Sequence, residues 1–429
     1  MQKIRVIVCL LMLSAGASVQ AELEITVNKG VDGALPIAIA PFQWEASGVA
    51  PESIHGIVKA DLARSGRFAP IKEEDFAQQG VNNQNMQLRL WRDKGIDYLV
   101  VGSLTPDSPS TFKVKFQLYS SETVRQLAGF TIPANANGLR MASHQISDLI
   151  YEAILGERGA FNTRLVYVTS NRSADQRYIM QISDSDGFNA RTILNSPSPL
   201  MSPVWSPNNE AVAFVSFENN RSGVYVQNVR TGQRSLVSRR KGINGAPAWS
   251  PDGRQLAITL SEGGNPDIYV VDLASKQTRR LTNDAAIDTE PTWAPDGSAI
   301  YFTSNRSGKP QIYRANVNGG TPQRISYEGD YNAAPSVSAD GKLVAMVNGD
   351  QNRFRIAVLN LESGQTRVLT NGTLDESPSF APNGSIIIYA TKDNGQNTLA
   401  AVSADGQVKQ TLSLTTGQIQ EPDWSGFLN

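Results

Sequence analysis

From about residue 161 to the C-terminus the chain alternates short apolar runs with polar, glycine-containing turns. Ala211–Ser216, 256–260, Ala299–Ser304, 343–347 and 386–391 are such runs, rich in aliphatic, β-branched and aromatic residues. That composition suits strands of sheets stacked on one another. Ahead of each run stands the same short text. Six segments align: Pro203-Val-Trp-Ser-Pro-Asn, Pro247-Ala-Trp-Ser-Pro-Asp-Gly, Pro291-Thr-Trp-Ala-Pro-Asp-Gly, Pro335-Ser-Val-Ser-Ala-Asp-Gly, Pro378-Ser-Phe-Ala-Pro-Asn-Gly and Pro422-Asp-Trp-Ser. Their leading prolines are 44, 44, 44, 43 and 44 residues apart. A fixed period of this length with four short strands per unit predicts propeller blades.

Each unit reads as an innermost strand A carrying the aromatic residue, a Pro-Asp-Gly or Pro-Asn-Gly turn, then strands B, C and D. The turn proline presets φ and the glycine accepts a positive one. A first B-like strand at 165–169 has no strand A before it, and the last strand A, 422–424, has no B after it. Six A strands and six B strands therefore predict six blades, one of them shared between the two ends of the propeller, which leaves no free sheet edge at the seam. Residues 422–427 are expected to pair with the blade that begins at Leu165.

The residues before the polar connection 156–162 carry other periods. Ile54, Ile57, Val58 and Leu62 recur at helical spacing between Pro51 and Gly66. So do Leu139, Ala142, Ile146, Leu149, Ile150 and Ile154, stopped by Gly156. A shorter helix is expected at 86–90, ended by Gly95. Strands are expected at 35–40, 98–104, 112–119 and 127–132. The expected organisation is a small α/β domain at 34–160 followed by a six-bladed β-propeller at 161–429.

The N-terminus changes this picture only by subtraction. Lys3 and Arg5, the apolar run 6–13 and the small-residue exit at Val19-Gln20-Ala21 read as a secretory leader at residues 1–21. The run is too short for a bilayer, which takes about 20 apolar residues. Cys9, the one cysteine, lies in that leader, so the mature chain is expected to have no disulfide and no thiolate ligand. Removing Lys3 and Arg5 from 39 basic residues, against 40 acidic ones, leaves a formal charge of −3. That balance argues against a nucleic-acid or anionic-membrane surface.

Catalytic chemistry is not evident. Propellers with similar turns occur in prolyl-oligopeptidase-like enzymes, which also need a Gly-x-Ser-x-Gly nucleophile elbow on a hydrolase domain. The sequence has neither the elbow nor room for that domain. A lactonase-like propeller would need carboxylates or histidines around a channel metal. The two histidines, His55 and His144, fall in the small domain. Helical phasing puts both on the face away from the apolar stripe, where solvated histidines are expected. Two histidines without cysteine cannot make the usual zinc set. Asp184-Ser-Asp-Gly lacks the later glutamate of a calcium loop and reads as a β-turn. The aromatic of each strand A reads as packing between blades.

Binding chemistry is better placed. The loop entering each strand A must rim the central channel. Those positions are Met201-Ser202, Gly245-Ala246, Thr289-Glu290, Ala333-Ala334, Glu376-Ser377 and Gln420-Glu421, small or acidic and different in each blade. Packing alone has little reason to vary them, whereas a partner site does. No cofactor is expected, apart from a calcium ion held by clustered rim carboxylates.

The domain order, the repeat count, the C-terminal closure and blade text such as Glu290-Pro-Thr-Trp and Asn318-Gly-Gly-Thr-Pro-Gln-Arg-Ile resemble the TolB family, periplasmic propellers of the Tol–Pal envelope system. The resemblance covers essentially the whole mature chain. The fourth repeat departs from it, with Val337 for Trp and Ala339 for Pro. What the resemblance implies is a non-catalytic, monomeric periplasmic protein that binds the lipoprotein Pal on its propeller and TolA through its mature N-terminus. It also implies roles in outer-membrane integrity and in constriction during cell division, and use by bacteriocins. It points to Asn244, Gly245, Ala246, Thr289 and Glu290 as Pal contacts, with the rim carboxylates Glu376 and Glu421 added. For TolA it points to the segment 22–33. There Glu22, Leu23, Glu24, Ile25, Thr26 and Val27 alternate polar and apolar like a half-buried strand, ahead of a glycine-containing hinge.

Overall fold

The computed structural model describes residues 33–72, 88–170, 177–393, 395–412 and 418–428. The expected leader and the expected TolA-contacting strand Glu22–Val27 lie outside the described residues. Among the described residues no helix is long and apolar enough to cross a membrane.

The small domain is a mixed sheet covered on both faces. Phe68–Pro70, Leu35–Ile39 and Tyr98–Ser108 lie parallel. Thr111–Ser120 and Arg125–Asn135 extend the sheet as antiparallel hairpins, and Gln43–Trp44 pairs with the end of Tyr98–Ser108. Because side chains alternate along a strand, Leu35–Ile39 serves two cores. Ile37 and Ile39 pack with helices Ile54–Arg64 and Leu139–Leu155 on one face. Ala38 packs with Leu88 and Trp91 of the short helix Leu88–Asp93 on the other. The long helix stops at Gly156, whose φ of 79° is the left-handed stop the sequence predicts. Phe68–Pro70 and Gln43–Trp44 were not expected, being too short to carry a period.

Six four-stranded antiparallel sheets follow. Five are consecutive in sequence, beginning at the inner strands Leu200–Trp205, Asn244–Trp249, Asp288–Trp293, Tyr331–Val337 and Glu376–Phe380. The sixth combines the two ends of the propeller: Gln418–Trp424 pairs with Arg164–Ser170, which pairs with Tyr178–Asp184 and then Arg191–Ser196. This is the shared blade that the strand count predicts.

The aromatic of strand A does stitch neighbouring blades. Trp249 Nε1 donates to the carbonyl of Val204 at 3.2 Å, and Trp293 Nε1 to that of Ala248 at 3.1 Å. At the seam the partner changes. Trp424 is buried and its Nε1 donates to Thr163 Oγ1 at 2.8 Å, in the connection from the small domain. Asp423 adds a tie of its own: it accepts from Ser379 Oγ of the fifth blade and from the Trp205 N–H of the first, each at 2.8 Å. Burial pushes its carboxyl up to about 6, with the N–H and hydroxyl donors opposing the rise.

Deleting residues 422–427 should expose the edge of Arg164–Ser170 and leave a ring that unfolds or aggregates. Trp424→Ala alone should cost about 3–5 kcal/mol, the range for emptying a buried aromatic site. Thermal denaturation measures both, and a truncated chain that melts like the intact one would rule out the closure as a stabilising element.

Candidate functional site

Each inner strand breaks register immediately before its proline. The pairing jumps between Met201 and Val204, Gly245 and Ala248, Thr289 and Thr292, Ala333 and Ser336, Glu376 and Ser379, and Gln420 and Asp423. The residue before the proline lies in the left-handed region every time: Ser202 (φ 47°), Ala246 (44°), Glu290 (53°), Ala334 (51°), Ser377 (53°) and Glu421 (53°). No glycine relieves these positions, and an L-residue held there costs roughly 1–2 kcal/mol. The proline that follows offers no N–H to the ladder, so interrupting the pairing there loses little. A bulge re-aims the chain, and here all six residues line one cavity of about 490 Å³ at the channel mouth.

Glu376 lines the same cavity, so the three rim carboxylates face one space. Two of them also have structural work. Glu290 Oε2 accepts from Thr303 Oγ1 at 2.8 Å and from the Ala334 N–H of the next blade at 2.9 Å. Glu421 accepts from the Ser202 N–H, joining the sixth blade to the first. Part of the blade-to-blade variation at the rim is therefore a matter of which seams carry a carboxylate tie. Burial raises the carboxyl of Glu421, with Glu376 and Glu290 adding to the rise and the Ser202 N–H opposing it. Glu376 is raised by burial and lowered by Lys392. Among the described residues the one set of three candidate ligand atoms lying within 4.8 Å of one another is elsewhere, at Asp61, His144 and Asp186.

Beside the channel mouth runs a second cavity of about 570 Å³, lined by Met201, Val215, Phe217, Ile243, Gly245 and Ala246 among others. It shares Met201, Ser202 and Ala246 with the channel cavity, so the two form one surface. Ile243 is 51% exposed and Met201 38%. Of the expected contacts, Ala246 stands at the junction and Gly245 on the groove. Thr289 faces Thr259 of the neighbouring blade, their hydroxyls 3.4 Å apart. Asn244 is fully buried and offers no side chain: it accepts from Ser238 Oγ and the Arg240 N–H and donates to the carbonyls of Arg240 and Gly242. Its work is to shape the loop that presents Ile243. Phe217 and Ile243 escaped sequence reasoning because they lie in loops, where no period marks an exposed apolar residue.

An exposed apolar groove continuous with a hydrogen-bonding rim suits recognition of another protein.

His144 corrects an expectation. It is buried rather than solvated, because the helix face opposite the apolar stripe is covered by the propeller. Its Nδ1 lies 2.7 Å from Asp61 Oδ2, and its Nε2 lies 3.6 Å from Asp186 Oδ2 in the turn after Tyr178–Asp184. Arg64 donates to Asp61 at 3.1 Å and to Ser185 Oγ at 2.8 Å, and Arg140 pairs with Asp186. The Asp-Ser-Asp-Gly text is thus a β-turn, as expected, and also the propeller's docking point for the small domain. His55 is half-buried.

Comparison with known proteins bears on the whole chain. A family model described as the TolB β-propeller domain matches residues 151–428, and one described as the TolB amino-terminal domain matches residues 23–126. The Tol-Pal system protein TolB of Thioalkalivibrio sulfidiphilus is 61% identical over 424 residues, 98% of this chain and 97% of that protein. The Tol-Pal system protein TolB of Nitrosococcus oceani is 58% identical over 418 residues, 97% of this chain and 96% of that protein. The crystal structure of TolB from Acinetobacter baumannii superposes with a TM-score of 0.87 at 37% identity, covering 94% of this chain and all of that one.

The left-handed rim makes a stability prediction. Ala334→Gly keeps the N–H that meets Glu290 and removes the steric cost, so it should be neutral or stabilising by up to about 1 kcal/mol. Ala334→Val places a β-branched residue at positive φ and should cost about 2 kcal/mol. Denaturant unfolding of the two variants should give this order; the reverse order would mean that the rim conformation is not held.

Proposed function

The chain belongs to the TolB family, and we propose from that premise that it works in the periplasm as the protein-binding component of the Tol-Pal system. It joins Pal, bound at the channel mouth and the adjoining groove, to TolA, bound through the N-terminal segment Glu22–Val27. In this reading it acts by binding alone, without turnover or cofactor, and contributes to outer-membrane integrity and to constriction during division. Bacteriocin segments that enter by the same route would use the same surface.

The observation that supports this reading best is the continuity of the groove with the rim. Small residues at Ser202 and Ala246 let a partner segment approach, Ile243 and Met201 offer apolar contact, and Glu290 keeps lone pairs for donors on the partner. A peptidase-like or lactonase-like reading finds no comparable support: the family is a Tol-Pal envelope component, and two of the cavity's carboxylates, Glu290 and Glu421, are engaged in ties between blades.

Two binding measurements test the two halves. Arginine is unbranched at Cβ and no worse than alanine at a φ of 44°, so Ala246→Arg should leave the melting temperature nearly unchanged. It should weaken Pal binding by about 100-fold, roughly 2.8 kcal/mol; wild-type Pal affinity in a folded variant would move the site elsewhere. Deleting Glu22–Val27 should abolish TolA binding while Pal binding and melting temperature stay near wild type. Undiminished TolA capture by that deletion would reject the N-terminal assignment.

A further inference from the structure

The cluster between the domains has a property that the binding role does not use. His144 is a buried imidazole with one nitrogen turned to each domain. Nδ1 meets Asp61 of its own domain at 2.7 Å, and Nε2 meets Asp186 of the propeller at 3.6 Å with no hydrogen-bond partner closer. We propose that His144 is a proton-controlled latch: with both nitrogens protonated it holds the small domain to the propeller, and loss of the Nε2 proton weakens that hold.

The geometry says which proton leaves. A neutral imidazole keeps one N–H. The short bond to Asp61 holds the Nδ1 proton, and Ser147 Oγ, 2.8 Å from the same carboxylate oxygen, fixes that oxygen in place. Deprotonation therefore falls on Nε2, the nitrogen that faces the other domain. There it replaces an attraction with a lone pair facing a carboxylate.

The surrounding charges decide the sense of the titration. Helix Ile54–Arg64 presents Asp61 and Arg64, helix Leu139–Leu155 presents Arg140 and Asp148, and the blade turn presents Asp184 and Asp186. Burial works against the ring cation, but the carboxylates of Asp61 and Asp186 outweigh it, with Arg64 opposing them, and the imidazole is held above its ordinary value. A raised pKa places the contribution on the acid side. The latch is fully engaged below the ordinary imidazole range, around 6.5, and lost as pH rises through the raised value. Arg64 and Arg140 already occupy the carboxylates with guanidinium groups, so the cluster is an ion-pair network rather than a metal set.

One neighbour titrates in an overlapping window with the same sign. Asp148 accepts from the N–H of Phe161 at 2.7 Å and from that of Asn162 at 3.3 Å in the connection between the domains, and burial pushes its carboxyl up to about 7. The test has to separate the two. In the full mature chain, His55→Gln leaves a single imidazole, whose titration nuclear magnetic resonance follows directly. Its midpoint should lie above the ordinary value and fall when Asp186→Asn removes the propeller's carboxylate. Hydrogen-exchange protection of the turn 184–188 and of helix Leu139–Leu155 should drop several-fold above that midpoint, in the wild type and in Asp148→Asn alike. Adding His144→Gln to Asp148→Asn should make it flat with pH. A midpoint at or below the ordinary value, or one that Asp186→Asn leaves unmoved, would overturn the latch without any change at residue 144. So would a loss of protection that persists in His144→Gln and vanishes in Asp148→Asn, which would assign it to Asp148 instead.

Discussion

The pairing of Gln418–Trp424 with Arg164–Ser170 is the constraint on which the rest of the molecule depends. It joins residues such as Arg164 and Ser425, 261 positions apart, whose backbone and hydroxyl groups bond at 2.9 Å in both directions. Without it the ring has two open sheet edges and no reason to stay circular. With it, six inner strands converge on one axis, and only then do six pre-proline residues from across the propeller share a cavity. The same blade also carries the docking turn for the small domain. Arg158 reaches back to the carbonyl of Leu428 at 2.7 Å, so the C-terminus, the interdomain connection and the closing blade form one tied unit. The contacts that close the ring and those that orient the small domain thus share one blade.

The rim stores backbone strain and the closure holds it. Six non-glycine residues at positive φ would relax in a lone hairpin, but neighbouring blades prevent it: Glu290 ties the third blade to the fourth, and Glu421 ties the sixth to the first. Strained residues of this kind gather where a surface must be presented in one shape. Small side chains at Ser202 and Ala246 leave the rim open on the side that carries the apolar groove, and carboxylate ties at Ser202 and Ala334 hold its backbone. The division of labour around the ring gives the propeller, a nearly symmetric object, one distinct face.

The interdomain contact uses buried charge, whose net stabilising worth is small because desolvation offsets the attraction. What such a network supplies here is registry, since Asp61, Arg64, Arg140, His144 and Asp186 satisfy one another only when the two domains sit in one relation. Apolar packing at the same place would hold the domains without making the hold sensitive to protons.

By itself the sequence determined the repeat, and with it the blade number, the strand order and the shared closing blade. A period of 43 or 44 residues is a one-dimensional property, and Pro, Gly and aromatic positions within it are local choices of φ and packing. It likewise determined the small domain's main helices and strands, whose hydrophobic periods span several turns or pleats. It placed Ala246, Glu290, Glu376 and Glu421 on the rim, because position within the repeat translates into radius in a propeller. Tertiary structure alone decided the rest. Asn244 turns inward because its loop needs its hydrogen bonds, and Ile243 turns outward because that loop is then fixed. His144 is buried because its supposedly solvated helix face meets a turn 42 residues further along the chain, at Asp186. Periodicity reports which face of an element is apolar. It says nothing about which polar face another domain will cover, since that depends on contacts between residues distant in sequence.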